Sequence, residues 1–342
     1  MKNTKISCLL LILLFTDLYA GTNPAAFLNI GVGARAFGMG GAFTSISDDA
    51  TATYWNPAGL GKIDEFSVVA MGQSLSSTKW ETIKDITAKY QFAGVTIPLK
   101  QYKIIGQNST VGFGWINTGL DDIPHTYLES GKIVRDTFND LENAYFISYG
   151  CSFSSGEDNV FAGTTIKYIT QKFSKIEYAN ASGYDIDMGM IYNWDDLNVG
   201  LLLQRGVVLK WDNGHKDTGP LTAKLGISNK FMLTNSFSSL GSIDFIQRQK
   251  QPIFANVGTE WGYETKIPEK SLGIKALYIR AGIDGLAIEN RYGYRDKINN
   301  NINYTVGSGI RIYSWGLQMD IDYAFGWYTL GSKNRFSLNL CY

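Results

Sequence analysis

The sequence predicts an all-β chain: fourteen antiparallel strands closed into a transmembrane β-barrel, behind a compact N-terminal segment rich in Gly and Ala. Three observations point there. From Glu65 onward the apolar residues recur with a period of two and show little helical periodicity, the mark of strands with one apolar and one polar face. Most of these strands run about ten to thirteen residues, the length a tilted strand needs to cross a bilayer and longer than the usual strand of a soluble sheet. The connections also sort by parity, long after odd-numbered strands and short after even-numbered ones. Outer-membrane barrels have long external loops and short periplasmic turns, whereas a soluble meander has no reason to sort them.

The chain opens with a targeting pattern. Lys2 and Lys5 precede an apolar run over 6–15, and Leu18-Tyr19-Ala20 before Gly21 offers a cleavage site, so residues 1–20 read as a secretory signal peptide. That run is too short to span a bilayer as a helix, and no later stretch reaches the length a membrane helix needs. Cys8 lies at the start of the run, where lipid attachment would not use it. Aromatic residues at 13%, with 37 Gly and only 7 Pro, suit long paired strands with aromatic girdles. The formal net charge is zero with both signs interspersed, which argues against nucleic acid as a partner and against an electrostatic membrane anchor.

Residues 63–342 form the expected barrel. Its strands fall at 65–75, 86–98, 109–118, 142–154, 159–171, 181–193, 196–205, 220–230, 235–247, 253–264, 271–284, 303–313, 315–325 and 334–342. The long connections are 119–141, 172–180, 206–219, 285–302 and 326–333. The short ones are 155–158, 194–195, 231–234 and 314, with 99–108 as an exception. An even strand count places both termini in the periplasm. In the last strand Phe336, Leu338, Leu340 and Tyr342 share one face, and Arg335, Ser337, Asn339 and Cys341 the other. Ending on an aromatic after apolar residues at two-residue steps is what outer-membrane assembly machinery reads. Trp315, Leu317, Met319, Ile321, Tyr323 and Phe325 oppose Gln318, Asp320 and Asp322, and Ile186, Met188 and Met190 oppose Asp185 and Asp187. The eleventh strand alternates imperfectly, and a bulge near Ala276-Leu277 restores it.

The residue inventory excludes most chemistry. His125 and His215 are the only histidines, both in expected loops, so neither is held as a Ser-His-Asp arrangement needs. No Gly-x-Ser-x-Gly elbow and no Cys/His cluster with metal spacing occurs; no enzyme activity, metal or cofactor is expected. Gly31-x-Gly33-x-x-Ala36 lacks the preceding strand that a dinucleotide fingerprint requires. Cys151 and Cys341 fall far apart in strand order and are expected as free thiols. The polar face carries charges of both signs: Asp185, Asp187, Asp244, Glu260, Asp320 and Asp322, with Lys224, Lys275, Arg280, Arg311 and Arg335. These form a polar path, a docking network for the N-terminal segment, or simply the mutually neutralised lining that a barrel interior carries.

Residues 21–62 differ in character. Gly33-Ala34-Arg35-Ala36-Phe37-Gly38-Met39-Gly40-Gly41-Ala42-Phe43 is followed by the acidic pair Asp48-Asp49 and then by Tyr54-Trp55-Asn56-Pro57-Ala58-Gly59-Leu60. Small residues permit close backbone approach; Ser47 or Asp48 is placed to cap a short helix, and Asn56-Pro57 reads as a turn. These two motifs resemble the N-terminal signature of the PorV/PorQ family, relatives of the FadL fatty-acid channels. The resemblance implies a fourteen-stranded barrel whose N-terminal segment is a hatch plugging the lumen, with Asn56, Pro57 and Ala58 as hatch residues beside Gly33, Arg35, Gly38, Gly40 and Gly41. Arg35 would then pair with a wall carboxylate such as Asp320 or Asp322.

The resemblance implies first an outer-membrane component of protein secretion, a shuttle or anchor for exported proteins. Loops 119–141 and 285–302 would supply the contact surface, with Tyr127, Tyr292 and Tyr294. The alternative it implies is a FadL-like passive channel for hydrophobic small molecules such as long-chain fatty acids. The partners expected are outer-membrane lipid, the barrel-assembly machinery, and either exported proteins or a hydrophobic ligand.

Overall fold

A computed structural model describes residues 24–76, 87–99, 106–155, 158–176, 179–265, 272–288, 302–314, 316–328 and 331–342. The signal peptide over 1–20 lies outside the described residues, as do Tyr292, Tyr294 and Trp315. The wall strands are β1 (Ser67–Ser76), β2 (Thr87–Pro98), β3 (Ser109–Glu129), β4 (Lys132–Ser155), β5 (Asp158–Phe173), β6 (Ala181–Trp194) and β7 (Leu197–Gln204). After a small hairpin of β8 (Val208–Trp211) and β9 (Lys216–Thr218) come β10 (Thr222–Thr234), β11 (Phe237–Arg248), β12 (Ile253–Glu264), β13 (Gly273–Ala287), β14 (Asn303–Ser314), β15 (Leu317–Tyr328) and β16 (Gly331–Cys341). Each wall strand pairs antiparallel with its neighbours in sequence, and β1 pairs with β16, so the sheet closes as a barrel of fourteen strands. Closure leaves no wall edge unpaired, which is the condition for backbone to sit in a hydrocarbon layer.

Alternation decides what faces out. Met188, Ile279 and Phe336 are all at least 60% exposed, and Ile147, Ile166 and Leu338 share that outer surface. Aromatics cluster towards both rims: Phe66, Phe153, Trp194, Tyr263 and Tyr342 at the end where the chain stops, and Tyr184, Tyr304 and Trp327 towards the other. An apolar band between two aromatic belts is the outer surface of a transmembrane barrel. The expected bulge in β13 is present one residue earlier, at Lys275, where the register against β14 shifts.

Three connections differ from expectation. The segment 119–141 is a projecting two-stranded arm of β3 and β4 rather than a loop, closed by Ser130-Gly131 with φ of 50° and 76°. Positive φ at both central residues is the geometry of a tight hairpin turn. His125 is therefore on a strand, opposite Asp136 and against the Tyr127 ring, while His215 sits in the turn of the β8–β9 hairpin. Asp121 and Asp122, at the bulge between Leu120 and Ile123, and Pro124 break the alternation that would have revealed the arm. Within 206–219, β8 pairs with the first residues of β6, continuing the line of β7 past a break at Gly206. Of the expected loop 326–333, residues 326–328 belong to β15 and 331–333 to β16, paired to each other as far as Tyr328 and Gly331. Parity sorting holds at 174–180, 205–221 and 288–302 against two-residue connections at 195–196 and 235–236, and fails at the short connection 249–252 and the longer ones 99–108 and 265–272.

Candidate functional site

Residues 24–63 pass through the barrel interior in short turns: a 3-10 turn at Ala26–Asn29, helices at Ala34–Gly38 and Ala52–Trp55, and a 3-10 helix at Pro57–Lys62. None is long enough to stand alone, so the wall and the segment's own side chains hold them. Asn56 is the main local device. Its Oδ1 accepts from the Ala58 N–H and starts the turn that Pro57 preorganises, while its Nδ2 donates to the Thr44 and Leu201 carbonyls. The expected cap by Ser47 or Asp48 is absent; Asp49 instead accepts from the Thr51 N–H. Trp55 Nε1 donates to the Val32 carbonyl and ties the two motifs together.

The wall receives this segment through backbone contact and polar pins. Gly150 and Gly163 lie opposite each other across β4 and β5, and a Cβ on either would collide with Pro57. Gly189 meets Asn56, the Gly200–Gly226 pair meets Thr44 and Ser45, and the Gly258–Gly282 pair meets Met39 and Gly40. Sequence reasoning missed this belt of wall glycines; the signal was a glycine near the middle of each of these strands, on the inward phase of the alternation. Gly40 and Gly41 have φ of 64° and 74°, a left-handed turn that other residues adopt with strain. Asp244 Oδ2 accepts from the Phe43 and Thr44 amides, and the hydroxyls of Thr305 and Ser337 accept from Gly40 and Ala34.

Charges of the lumen gather into networks. Arg35 grips Glu260 with two bonds of 2.9 and 3.0 Å and reaches Asp48 at 2.6 Å. Its wall partner is thus Glu260, not the expected Asp320 or Asp322. Arg280 joins Glu260 to Asp322 at 2.6 Å each, and Arg311 holds Asp320 at 2.7 and 3.0 Å. Across the lumen, Lys167 bridges Asp185 at 3.0 Å and Asp187 at 2.7 Å; sequence reasoning had named both carboxylates but not the lysine. Within the segment, burial followed by the adjacent Asp48 carboxylate raises Asp49 to about 6, and burial lowers Lys62 to about 8. Lys62 donates to the Ser45 and Ile46 carbonyls. Cys151 and Cys341 are both free.

The segment divides the lumen. Towards Tyr342 lies a polar space of about 410 Å³ lined by Arg35, Asp48, Glu260, Arg280 and Asp320. On the opposite side is a cavity of about 220 Å³ lined by aromatic, aliphatic, amide and basic side chains and by Asp284. Leu28 and Asn29, near the first described residues, line that second cavity, so they sit across the segment from Tyr342.

No protein-family model matches the sequence, and comparison with curated proteins finds no match either. Solved structures match closely enough in shape to identify the fold. They include the CymD monoaromatic hydrocarbon channel (TM-score 0.55, 12% identity, covering 91% of this chain and 97% of that one). The Ralstonia pickettii toluene transporter TbuX matches with a TM-score of 0.53 at 12% identity over the same shares of each chain. A Pseudomonas aeruginosa FadL homologue matches with a TM-score of 0.51 and 12% identity over 96% of this chain and 99% of that one. The chain therefore has the closed fourteen-stranded barrel fold of the FadL-type channels.

Proposed function

We propose that this chain is an outer-membrane passive channel for small hydrophobic molecules, with residues 21–62 acting as a hatch and the Tyr342 end facing the periplasm. The observation that carries the reading is the divided lumen. A water-filled pore needs no densely packed segment across it, whereas a channel for apolar solutes needs a barrier to ions. The fold is shared with proteins described as hydrocarbon channels and toluene transporters, which favours this reading over the secretion role that the sequence resemblance put first. The test is flux: liposomes carrying the purified barrel should take up toluene faster than liposomes carrying an unrelated barrel, without a matching rise in ion conductance. Equal toluene uptake would rule the reading out.

The secretion role remains a second reading, supported by the projecting β3–β4 arm with exposed Tyr127 and Ile133. Aromatic and aliphatic side chains held out on a hairpin suit protein contact. Quantitative proteomics of surface and medium fractions from a deletion strain tests it. Loss of a set of exported proteins, with precursors held in the periplasm, would support it, and an unchanged set would dismiss it.

A further inference from the structure

The cavity away from Tyr342 combines two features that rarely coincide. Its walls include the rings of Phe37, Trp55, Phe254 and Tyr328, and three cations, Lys224, Arg248 and Arg335, also line it. Asp284 is the one carboxylate in that lining, and among the described residues no carboxylate lies within ion-pair distance of any of the three cations. The contrast with Arg35, Arg280, Arg311 and Lys167, all paired, is sharp.

Arg335 shows the imbalance most clearly. It is 0% exposed. Its Nε and Nη2 donate to Gln73 Oε1, Nη2 also reaches the Ile30 carbonyl, and its guanidinium stacks 4.2 Å from the Phe37 ring centre. All these partners are neutral, and Nη1 is buried with no partner at all. Arg248 Nε is likewise buried without a partner, and the Lys224 ammonium lies 5.6 Å from the Trp55 ring centre. Burying cations with no carboxylate in direct contact is costly, and the cost falls when an anion enters among them. The aromatic rings add apolar area for the rest of that molecule. A cavity of roughly 150 Å³ accommodates one benzene ring, so about 220 Å³ has room for a single ring bearing a carboxylate.

We propose that this cavity binds a small aromatic monocarboxylate, with the carboxylate among Lys224, Arg248 and Arg335 and the ring against Trp55 and Phe37. The proposal rests on the channel reading and narrows its substrate class from neutral hydrocarbons to amphipathic anions.

The test is calorimetric titration of the full-length barrel in detergent with benzoate, toluene and inorganic phosphate, beside toluene flux in liposomes. Benzoate should bind at least tenfold more tightly than toluene, and phosphate should not compete with it. Arg248→Gln should weaken benzoate at least tenfold and leave toluene unchanged. Lys224→Met provides the same comparison if the first variant fails to assemble. Toluene binding as tightly as benzoate would overturn the carboxylate assignment while the channel reading stands. Phosphate displacing benzoate at equal concentration would reduce the site to a general anion site and overturn the aromatic part. No benzoate or toluene binding, with no toluene flux, would remove this proposal and the channel reading together.

Discussion

Arg35 and Arg280 share one carboxylate, Glu260, and that sharing fixes where the N-terminal segment docks. Breaking a buried pair leaves an uncompensated charge, at a cost on the order of 3 kcal/mol. Glu260→Gln should therefore leave Arg35 held only within the segment by Asp48 and Arg280 only by Asp322, and lengthen and multiply current fluctuations in single-channel records; a record like that of the parent would contradict the docking role. Arg35→Ala should loosen the segment in the same direction and by less, since Arg35 keeps some contact with solvent. Asp49 contributes a pH dependence. Its folded value of about 6 lies above its ordinary 3.8, so the segment packs best with this carboxyl protonated. That contribution is complete below about pH 4 and is lost as pH rises through about 6. Protease protection of residues 24–62 should thus be greater at about pH 4 than at about pH 7, and Asp49→Asn should flatten the difference.

At the scale of elements, the Asn56-Pro57-Ala58 turn and the wall glycines form two halves of one contact. Asn56→Ala removes three hydrogen bonds from buried partners and should cost on the order of 2 kcal/mol, read as a lower thermal midpoint. Gly282→Val should displace the segment more completely, because its side chain would occupy the place of the Met39–Gly40 backbone. Raised ion conductance with barrel assembly intact is the expected outcome. The segment's motifs were legible in the sequence because they are local, and so was the outer face of β16, because alternation is local. The glycine belt was not, since each wall glycine looks like an ordinary strand glycine until the register sets Gly258 beside Gly282 and Gly200 beside Gly226. The β3–β4 arm was missed for the opposite reason. Beyond the bilayer both of its faces can be polar, so the period-two signal that marks a membrane strand fades there.

For the whole molecule, closure through β1 and β16 completes the backbone pairing of the wall without the N-terminal segment. A chain lacking residues 24–62 should still form a barrel and should conduct ions as an open pore. Conductance unchanged by the deletion would show that the segment is not the barrier.

Strand number, the outward faces of β6, β15 and β16 and the identity of the N-terminal motifs followed from the sequence by itself. Each rests on a repeat or a contiguous string of residues whose physics is local: two-residue alternation, strand length against bilayer thickness, and turn chemistry at Asn56-Pro57. The tertiary structure alone decided which charges meet. Arg35 finds Glu260 rather than Asp320 or Asp322, Lys167 joins Asp185 to Asp187, and Lys224, Arg248 and Arg335 are left facing one cavity with no carboxylate in ion-pair contact. Those pairings depend on the stagger of closed strands and on the path of the segment between them. Both are long-range consequences of closure, set by packing against a wall that no local pattern records.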